Sequence, residues 1–535
     1  MTTSYDGLRE AVSAVAAARG AAARLLPDGL TVTASFGGRQ AQLALPIDGA
    51  DLDGYAHIPS ALPSRARGDV REKALYNILQ DMMANPGVRI EDAVLREELV
   101  THLPADPPHR QVLANVAERQ YWIHPSAAHG GSRAFLAPFH SDLPGSYDYQ
   151  GRYKSFRGGL LLFLCWDGSG FDLTLPGEIA AFLGSDDGLS PLDQAFLTAA
   201  RAAAADLKAS APAAPGRLVE QFGPSMMKDL AHGAFDQEGL DRIRRDLQTV
   251  VRLQLPRHEK AHALIVAFSL HIALYYYRLA FRLGEGLGCV ARALDGQDLP
   301  GSPDFDGLIL FRVGSAGDRP VSASDPCARS WWSLDEQHLL ALPASMVSAN
   351  LVHQAAQASG VDCGPVPDPY VCAQALADDP VGATLTDLLC AAAAAGLHDS
   401  PSGLSAAEPG TGVYALREAV LASFRRRGSA LKQRGRDIVN TLVGGFGGEL
   451  KRNRGRVRFF ELDEQVIFLL VMLILEDSQR QQLAFRKEFL PALRRYGLAP
   501  QSAAEEELLS QALGRLGLLE RYSDAGEALY VRHIL

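Results

Sequence analysis

The segment from His258 to Leu283 is apolar on nearly every face that a helix would present. A helix without a polar face is not stable at a protein surface, so other elements must surround it. Its longest uncharged stretch, Ala261–Tyr277, contains two histidines, a serine and three tyrosines, which makes it a poor membrane span. We therefore predict a soluble protein built around one central buried helix, with no membrane partner.

The cysteines and the N-terminus indicate a cytoplasmic location. Six cysteines are spread from Cys165 to Cys390 without a Cys-x-x-Cys pair, which is typical of a protein that folds in a reducing compartment. Asp6 and Glu10 stand where a secretory signal would have an apolar run. The sequence contains no nucleotide-binding glycine fingerprint and no Cys/His zinc finger, so we expect no cofactor.

The chain of 535 residues is too long for one hydrophobic core, so we expect several domains. Two stretches rich in Ala, Pro, Gly and Ser, residues 209–216 and 398–412, are the best candidates for linkers. We predict an α+β, predominantly helical fold in four parts: an N-terminal mixed α+β domain with β-hairpins (1–208), a central helical bundle (217–397), a helical segment with a basic arm (413–460) and a C-terminal winged-helix-like domain (461–535).

Local patterns predict several elements before the C-terminal part. Residues 31–47 alternate apolar and polar side chains around Gly37-Gly38, which indicates a β-hairpin. Two shorter runs, Leu160–Trp166 and Phe171–Leu175, predict a second hairpin. Further predicted elements are two helices within residues 70–103, a helix that starts at Ser190-Pro191, and a strand at Leu308–Arg312.

The last 75 residues predict three helices and a short terminal hairpin. The helices are expected at Leu462–Glu476, Phe485–Tyr496 and Ala503–Leu516, and the hairpin turns at residues 523–526. Three helices with a two-stranded wing form a winged-helix arrangement. The alternative is a plain helical cap followed by a hairpin.

The segment Phe424–Arg458 carries a charge opposite to that of the rest of the chain. Eleven Lys or Arg stand against one Asp and one Glu, a local charge of +9, whereas the whole chain carries −10. A basic surface on an acidic chain is typical of a protein that binds a polyanion, and nucleic acid is the first candidate. We predict that this basic arm contacts the phosphates of duplex DNA without sequence preference. Its cations are Arg425, Arg426, Arg427, Lys432, Arg434, Arg436, Lys451, Arg452, Arg454, Arg456 and Arg458.

Two alternatives to DNA remain open for the basic arm: a solvated basic hairpin and a docking surface for an acidic protein. The third C-terminal helix is a poorer candidate for DNA contact. It begins with Glu505, Glu506 and Glu507, which would repel a polyanion, and Arg515 is its one basic residue. We therefore expect this helix not to read base sequence.

The sequence His258-Glu259-Lys260-Ala261-His262 matches the H-E-x-x-H pattern of zinc peptidases. Two histidines four residues apart share a helix face and can bind zinc, with Glu259 as general base. A zinc-dependent hydrolase or peptidase is therefore an alternative function, with His258, Glu259 and His262 as its residues. The sequence offers no third ligand except Glu285, which we place in a Gly-rich loop after the helix, and Pro256 puts the motif in the first helical turn.

Two groups of aromatic residues could in principle stack on bases, Tyr275-Tyr276-Tyr277 and Trp331-Trp332. The tyrosines lie inside the apolar helix and the tryptophans at a predicted helix start. We expect both groups to belong to the core instead.

The overall plan, a large helical body that ends in a basic arm and a winged-helix-like unit, looks like the accessory subunits of bacterial multi-gene anti-phage defence systems. Such subunits act beside ATPases, methyltransferases or nucleases encoded in the same gene cluster. The resemblance covers residues 424–535 and is one of architecture. It implies a cytoplasmic, non-catalytic, DNA-associated or adaptor role, with other protein subunits of the same system as partners. A pure protein scaffold is the remaining alternative.

Overall fold

The protein is described by a computed structural model that is 65% helical and 12% strand, which confirms the predicted α+β, predominantly helical fold class. The described residues are 5–45, 52, 92–104, 106–123, 134–135, 140, 163–203, 236–314, 320–397, 411–427, 436, 450–454, 456–522 and 528–533.

The helices carry most of the described chain. In chain order they are α1 (Tyr5–Ala18), α2 (Asp92–His102), α3 (Pro107–Tyr121), α4 (Thr174–Gly184), α5 (Pro191–Ala203), α6 (Gln237–Arg252), α7 (Arg257–Leu294), α8 (Pro326–Trp332), α9 (Leu342–Ala358), α10 (Pro369–Ala377), α11 (Pro380–Leu397), α12 (Thr411–Arg427), α13 (Glu464–Ser478), α14 (Leu490–Arg495) and α15 (Ala503–Arg515). Two π-helical turns, Ser333–Leu339 and Phe485–Phe489, continue α8 and lead into α14.

The strands form small sheets around the helical body. They are β1 (Ala22–Leu25), β2 (Thr31–Phe36), β3 (Arg39–Ala44), β4 (Trp122–Ile123), β5 (Ala134–Phe135), β6 (Ile309–Val313), β7 (Lys451–Arg454), β8 (Val457–Leu462), β9 (Gln482–Ala484), β10 (Leu498–Pro500), β11 (Leu519–Tyr522) and β12 (Ala528–Arg532). Their orders are β1-β2-β3, β10-β6-β8-β7, β11-β12-β9 and β4-β5.

Helix α7 is the predicted central helix, and it is longer than the sequence pattern indicated. It runs for 38 residues, about 57 Å at 1.5 Å per residue, and continues eleven residues beyond Leu283. Tyr276 and Tyr277 are fully buried in its middle, and Tyr275 is 2% exposed. The three tyrosines are therefore part of the core, as expected.

The glycines at the end of α7 explain the wrong boundary. A Cβ atom on Gly284 would lie 2.8 Å from Nδ1 of His338, and one on Gly286 would lie 2.7 Å from Cγ of Pro369. Both contacts are closer than real Cβ atoms allow. These glycines let neighbouring elements approach α7 closely, and they do not end the helix. Glu285 accordingly lies within α7, which corrects its predicted place in a loop.

A mixed sheet joins three of the predicted parts of the chain. β6 is the strand predicted at Leu308–Arg312, and it pairs in parallel with β10 on one side and β8 on the other. β7 pairs antiparallel with β8 and forms the edge. Because β10 comes from the last 75 residues and β7 from the basic arm, backbone hydrogen bonds connect both segments to the central body.

The C-terminal unit contains the three predicted helices and the terminal hairpin. Asp463 caps α13, with its side chain accepting a hydrogen bond from Val466 N at 2.9 Å, and Ser502 Oγ accepts from Glu505 N at 3.3 Å to cap α15. The sequence pattern missed β9, which follows α13 and pairs with β12 to make a three-stranded sheet.

The first predicted hairpin is present as β2 and β3. Gly37 and Gly38 have φ of 57° and 80°, the left-handed pair that a two-residue hairpin turn requires. β1, which the sequence pattern missed, adds a third strand. Arg19, which is partly exposed, pairs with buried Asp387 of α11 at 2.5 Å and connects this N-terminal region to the helical body.

The second predicted hairpin is wrong. The turn forms where expected, because Asp167 Oδ1 accepts hydrogen bonds from Ser169 N and Gly170 N, but Trp166 and Phe171 make only a single bridge. Residues 163–165 are helical, and α4 begins at Thr174. The helical conformation of residues 163–165 goes with burial of Phe163 in the main core, where its ring centre lies 4.9 Å from that of Tyr275.

The remaining local predictions have mixed outcomes. The helix start at Ser190-Pro191 is confirmed, and Ser190 Oγ accepts a hydrogen bond from Asp193 N at 3.1 Å. Within residues 70–103 only α2 falls in the described part. The linker at 209–216 and residues 398–410 of the second linker lie outside the described residues, and 411–412 begin α12.

Two helices, α7 and α11, are long and apolar enough to span a membrane by length and composition. Their most apolar windows are 89% and 83% buried within the protein, as core helices of a soluble protein are. Packing against other helices therefore accounts for their composition.

The burial of α7 gives a stability prediction. Ile272→Ala and Leu264→Ala remove side chains that are 0% and 3% exposed, so each should lower the free energy of unfolding by about 2–5 kcal/mol through loss of contacts and cavity formation. His258→Ala in the same helix is the control: its side chain is 82% exposed, and the change should stay within about 0.5 kcal/mol. Urea unfolding followed by circular dichroism measures all three. Equal small effects would show that α7 is not the core helix.

Candidate nucleic-acid interface

The predicted cations of the basic arm are only partly within the described structure. Arg436, Arg456 and Arg458 are exposed. Lys432 and Arg434 lie outside the described residues. The other six lie on described backbone, at the end of α12 or in β7, but their side chains lie outside the described part: Arg425, Arg426, Arg427, Lys451, Arg452 and Arg454.

Arg458 is the best-defined cation of the arm. Its guanidinium carbon lies 5.2 Å from the ring centre of Trp331, which is buried against the main core. This cation–π contact fixes the direction of the side chain while leaving Arg458 exposed. Arg456 precedes β8 by one residue and is also exposed.

The register of the mixed sheet brings part of the C-terminal unit to the same end of the sheet as Arg458. Leu498 pairs with Ile309, and Phe460 pairs with Phe311 in the neighbouring parallel ladder. Arg458, two residues before Phe460, is therefore level with Leu498. The two positions lie on either side of β6, about 10 Å apart at 4.8 Å per strand.

Two further exposed cations immediately precede β10 at this end. Arg494 and Arg495 are the last residues of α14, and Gly307 N donates a hydrogen bond to Arg494 O at 3.0 Å. Ile309 N donates to Gly497 O at 2.8 Å, so the chain after α14 is anchored to the start of β6.

The helical stretch that ends at Arg495 has one apolar and one basic side. Phe485, Phe489 and Leu493 are buried, whereas Arg486 and Lys487 are exposed together with Arg494 and Arg495. The sequence analysis missed these four cations, although residues 480–495 hold five basic residues and one acid. This excess of basic residues is the sequence signal that could have identified them.

We call the six exposed cations the basic end: Arg456, Arg458, Arg486, Lys487, Arg494 and Arg495. Within the described part of the chain, none of their side chains forms an ion pair. The one acid of the helical stretch, Glu488, is already engaged by Ala484 N at 2.8 Å and by Arg480 at 2.5 Å, and these contacts lower the pKa of its carboxyl group.

Two acids lie at the same end of the sheet, in the loop that leads to β6. Asp304 accepts a hydrogen bond from Asp306 N at 2.8 Å. Partial burial and the neighbouring Asp304 raise the pKa of Asp306. The six cations of the basic end outnumber these two carboxylates.

A cleft of about 360 Å³ extends the basic end toward α6. Lys487 and Arg495 line it together with Arg242 and Arg245, and the acids Asp246, Asp477 and Glu488 line it as well. Arg245 lies 3.5 Å from Asp477, and Arg242 stacks 4.9 Å above the ring of Tyr496. Most charges in the cleft therefore have a partner, and the two without an ion pair, Lys487 and Arg495, belong to the basic end.

A buried polar group at the floor of this cleft holds the C-terminal unit against the body. The hydroxyl of Tyr496 donates to Asp246 of α6 at 2.9 Å, and Nε2 of His271 in α7 lies 2.9 Å from the same carboxylate oxygen. All three residues are at most 7% exposed. Burial and the adjacent carboxylate raise the pKa of Tyr496 well above its usual value. The phenol therefore remains a hydrogen-bond donor.

The acids at the start of α15 are not all exposed, which corrects the sequence-based expectation. Glu505 is 1% exposed, whereas Glu507 is exposed. The reason is local: Glu505 is the third residue after the Ser502 cap, a position from which a carboxylate turns back toward the cap. Arg515, the one cation of this helix, pairs with Glu464 at 3.1 Å. The exposed side of α15 therefore carries no unpaired cation.

The H-E-x-x-H residues occupy the first turn of α7, as predicted from Pro256. His258 and Glu259 are 82% and 54% exposed, 3.7 Å apart, and His262 Nε2 lies 3.3 Å from Gln465 Oε1. Glu285, the proposed third ligand, is 23 residues along the same helix from His262, about 35 Å away. Across the described ranges no three His, Cys, Asp or Glu side chains are grouped for a metal ion.

The two tryptophans have different environments. Trp331 is 6% exposed and belongs to the core, as expected, but Trp332 is 54% exposed, which corrects the prediction for that residue. Trp332 ends α8 and follows exposed Arg329 by three residues, so both lie on the outer side of that helix.

No protein-family model matches the chain, and no curated protein matches its sequence. The functional interpretation therefore depends on the geometry and charge of the residues described above.

The geometry of the H-E-x-x-H segment predicts that purified protein holds well under one zinc per chain. A catalytic zinc needs three protein ligands, and Glu285 is too distant to supply the third. Elemental analysis of protein purified without chelator measures the zinc, and Glu259→Gln should leave the melting temperature unchanged with or without EDTA. Stoichiometric zinc that disappears in His262→Ala would instead establish a metal site.

The acids of α15 give a second prediction for this surface. If α15 lies outside a DNA interface, Glu507→Gln should leave DNA affinity unchanged or raise it slightly, because it removes one exposed negative charge. Glu505→Gln is the matched control: it should lower the melting temperature because it alters a buried carboxylate near the helix cap. Fluorescence anisotropy with labelled duplex measures the affinity. A tenfold loss of affinity in Glu507→Gln would place α15 in the interface.

Proposed function

We propose that this protein is a non-catalytic, DNA-associated accessory subunit that contacts backbone phosphates through the basic end. The observation that carries the proposal is that exposed cations from two separate segments, none of them in an ion pair with a described residue, lie at one end of a single sheet. Arg456 and Arg458 come from the basic arm, and Arg494 and Arg495 come from the C-terminal unit. The energetic cost of holding like charges together falls when phosphates bind between them.

The chemistry of these cations favours phosphates over bases as their ligands. Arginine guanidinium groups bind phosphate oxygens with two parallel hydrogen bonds. Phosphate contacts position a protein on DNA without reading sequence. The exposed side of α15 lacks an unpaired cation, so it adds no base reading to this interface. We infer duplex DNA without sequence preference as the ligand.

The order of elements in the C-terminal unit supports a winged-helix-like interpretation. A helix (α13), a strand (β9), a helix (α14), the short strand β10, a helix (α15) and a hairpin (β11 and β12) follow one another. β9, β11 and β12 pair in one sheet, whereas β10 pairs with β6. In the proposed function the second of the three helices, with the preceding π-helical turn, meets the DNA backbone. The third helix faces away from bases.

The accessory role follows from the charge arrangement together with the resemblance to subunits of bacterial anti-phage systems. On this proposal the protein works in the cytoplasm beside other subunits of its system, which supply any catalysis. The exposure of His258 and Glu259, and the distance of Glu285 from them, weaken the zinc-hydrolase alternative. An acidic protein partner would use the same cations as DNA, so the test must separate the two.

Matched charge reversals test the proposal. Arg456→Glu/Arg458→Glu and Arg494→Glu/Arg495→Glu each lower the net charge by four, and so does the control Arg9→Glu/Arg24→Glu, which changes two exposed arginines of α1 and β1. Both basic-end variants should lose at least tenfold in duplex affinity, and the control should retain wild-type affinity. For the wild type, six phosphate contacts predict a slope of about −5 in a plot of log K against log salt.

The pattern of results separates DNA binding from the alternatives. Loss in both basic-end variants with unchanged circular dichroism supports a shared interface. Equal losses in all three variants would indicate a general effect of net charge. Unchanged duplex affinity in both basic-end variants would contradict the proposal, and loss of co-purification with an acidic subunit in the same variants would favour the scaffold role.

A further inference from the structure

The six cysteines are all buried, and two of them touch. Sγ of Cys363 lies 3.2 Å from Sγ of Cys372, and both residues are 1% exposed. Cys363 belongs to the loop between α9 and α10, and Cys372 to the first turn of α10. A disulfide bond is about 2.05 Å long, so the two sulfur atoms need to approach by only roughly 1 Å to reach bonding distance.

The two sulfur atoms are chemically unequal. The contact between the two sulfur atoms lowers the pKa of the Cys363 thiol, whereas the same contact and burial raise the pKa of Cys372 well above its usual value. Burial also raises the pKa of Cys390, Cys165, Cys327 and Cys289. Cys363 is the one cysteine of the six whose thiol pKa is lowered, which favours it as the attacking thiolate.

We propose that Cys363 and Cys372 are a site of reversible oxidation, at which a peroxide converts the two thiols into a disulfide. The two sulfurs are poised for this reaction because they are in contact within the core. The inference is independent of the proposed DNA contact, because the pair lies on α10 and its preceding loop, apart from every residue of the basic end.

The reaction balances in two steps. The Cys363 thiolate attacks one peroxide oxygen, the O–O bond breaks, and Cys363 becomes a sulfenic acid while hydroxide leaves and takes up a proton. The Cys372 sulfur then attacks the Cys363 sulfur, the S–O bond breaks, and the leaving hydroxide takes the Cys372 proton as water. Two thiols and one hydrogen peroxide give one disulfide and two waters, and a dithiol reductant reverses the change.

The burial of the two cysteines limits which oxidants can reach their sulfur atoms. With both side chains 1% exposed, a bulky disulfide such as oxidised glutathione has no path to the sulfur atoms, whereas hydrogen peroxide is close to water in size. The new bond would connect the loop to α10, four residues after Asp368. Asp368 caps α10 and pairs with Arg282 of α7. Oxidation would therefore tie the loop to the helix whose first turn is held against the central helix by this ion pair.

The test uses the folded full-length chain. After mild hydrogen peroxide treatment, denaturation and alkylation, wild-type protein should show four free thiols of six, with a peptide disulfide between Cys363 and Cys372 by mass spectrometry. Oxidised glutathione at the same concentration should leave six. Reduction with dithiothreitol should restore the count, and Cys289→Ser, the control at a separate buried cysteine, should still form the bond.

A trapping variant extends the test to the order of steps. In Cys372→Ser the sulfenic acid on Cys363 has no partner, so dimedone added together with the denaturant should label Cys363, and Cys363→Ser should not be labelled at Cys372. Six free thiols in folded, peroxide-treated wild type, or a bond between another pair, would overturn the inference. The wild-type thiol count decides the matter even if a serine variant does not fold.

Discussion

The burial of α7 is the constraint on which the other elements depend. The middle of this helix, residues 264–277, is buried on every side, so it is stable only if neighbours surround it. α6, α9 and α10 pack against it, and Gly284 and Gly286 allow the closest approaches near its end. Elements that are far apart in sequence thereby share one core, and the mixed sheet is built beside that core.

The mixed sheet connects the core around α7 to the basic end. The ring of Tyr277 in α7 packs 5.7 Å from that of Phe460 in β8, and β8 also contributes Arg458. β6 then fixes β10 at its other edge, directly after Arg494 and Arg495. Cations that repel one another stay together here because the backbone ladders hold them. A flexible basic tail has no such restraint and would separate its charges.

The sequence correctly predicted features that depend on neighbouring residues. It failed for features that depend on contacts between residues far apart in the chain. The hairpin at Gly37-Gly38 and the start of α5 follow from turn and cap chemistry within a few residues, and both are correct. β9 and β10 are three residues long, and their partners, β12 and β6, lie far away in the chain, so no local pattern predicts them. Glu505 was expected to be exposed and Trp332 to be buried, and the structure shows the opposite. The reason is related: composition does not say which residues of a helix face solvent.

The candidate interface, too, was predicted from the sequence only in part. The charge of the basic arm was evident from composition, but its relation to α14 required the register of the mixed sheet. The residue that holds the basic helical stretch against the body is Tyr496, which follows that stretch and bonds to Asp246. Asp246 in turn lies against His271 of α7. An unpaired buried carboxylate is costly, so this group strongly resists separation of the C-terminal unit from the body. The position of Arg494 and Arg495 thus depends on a buried contact with the core, made by the residue that follows them.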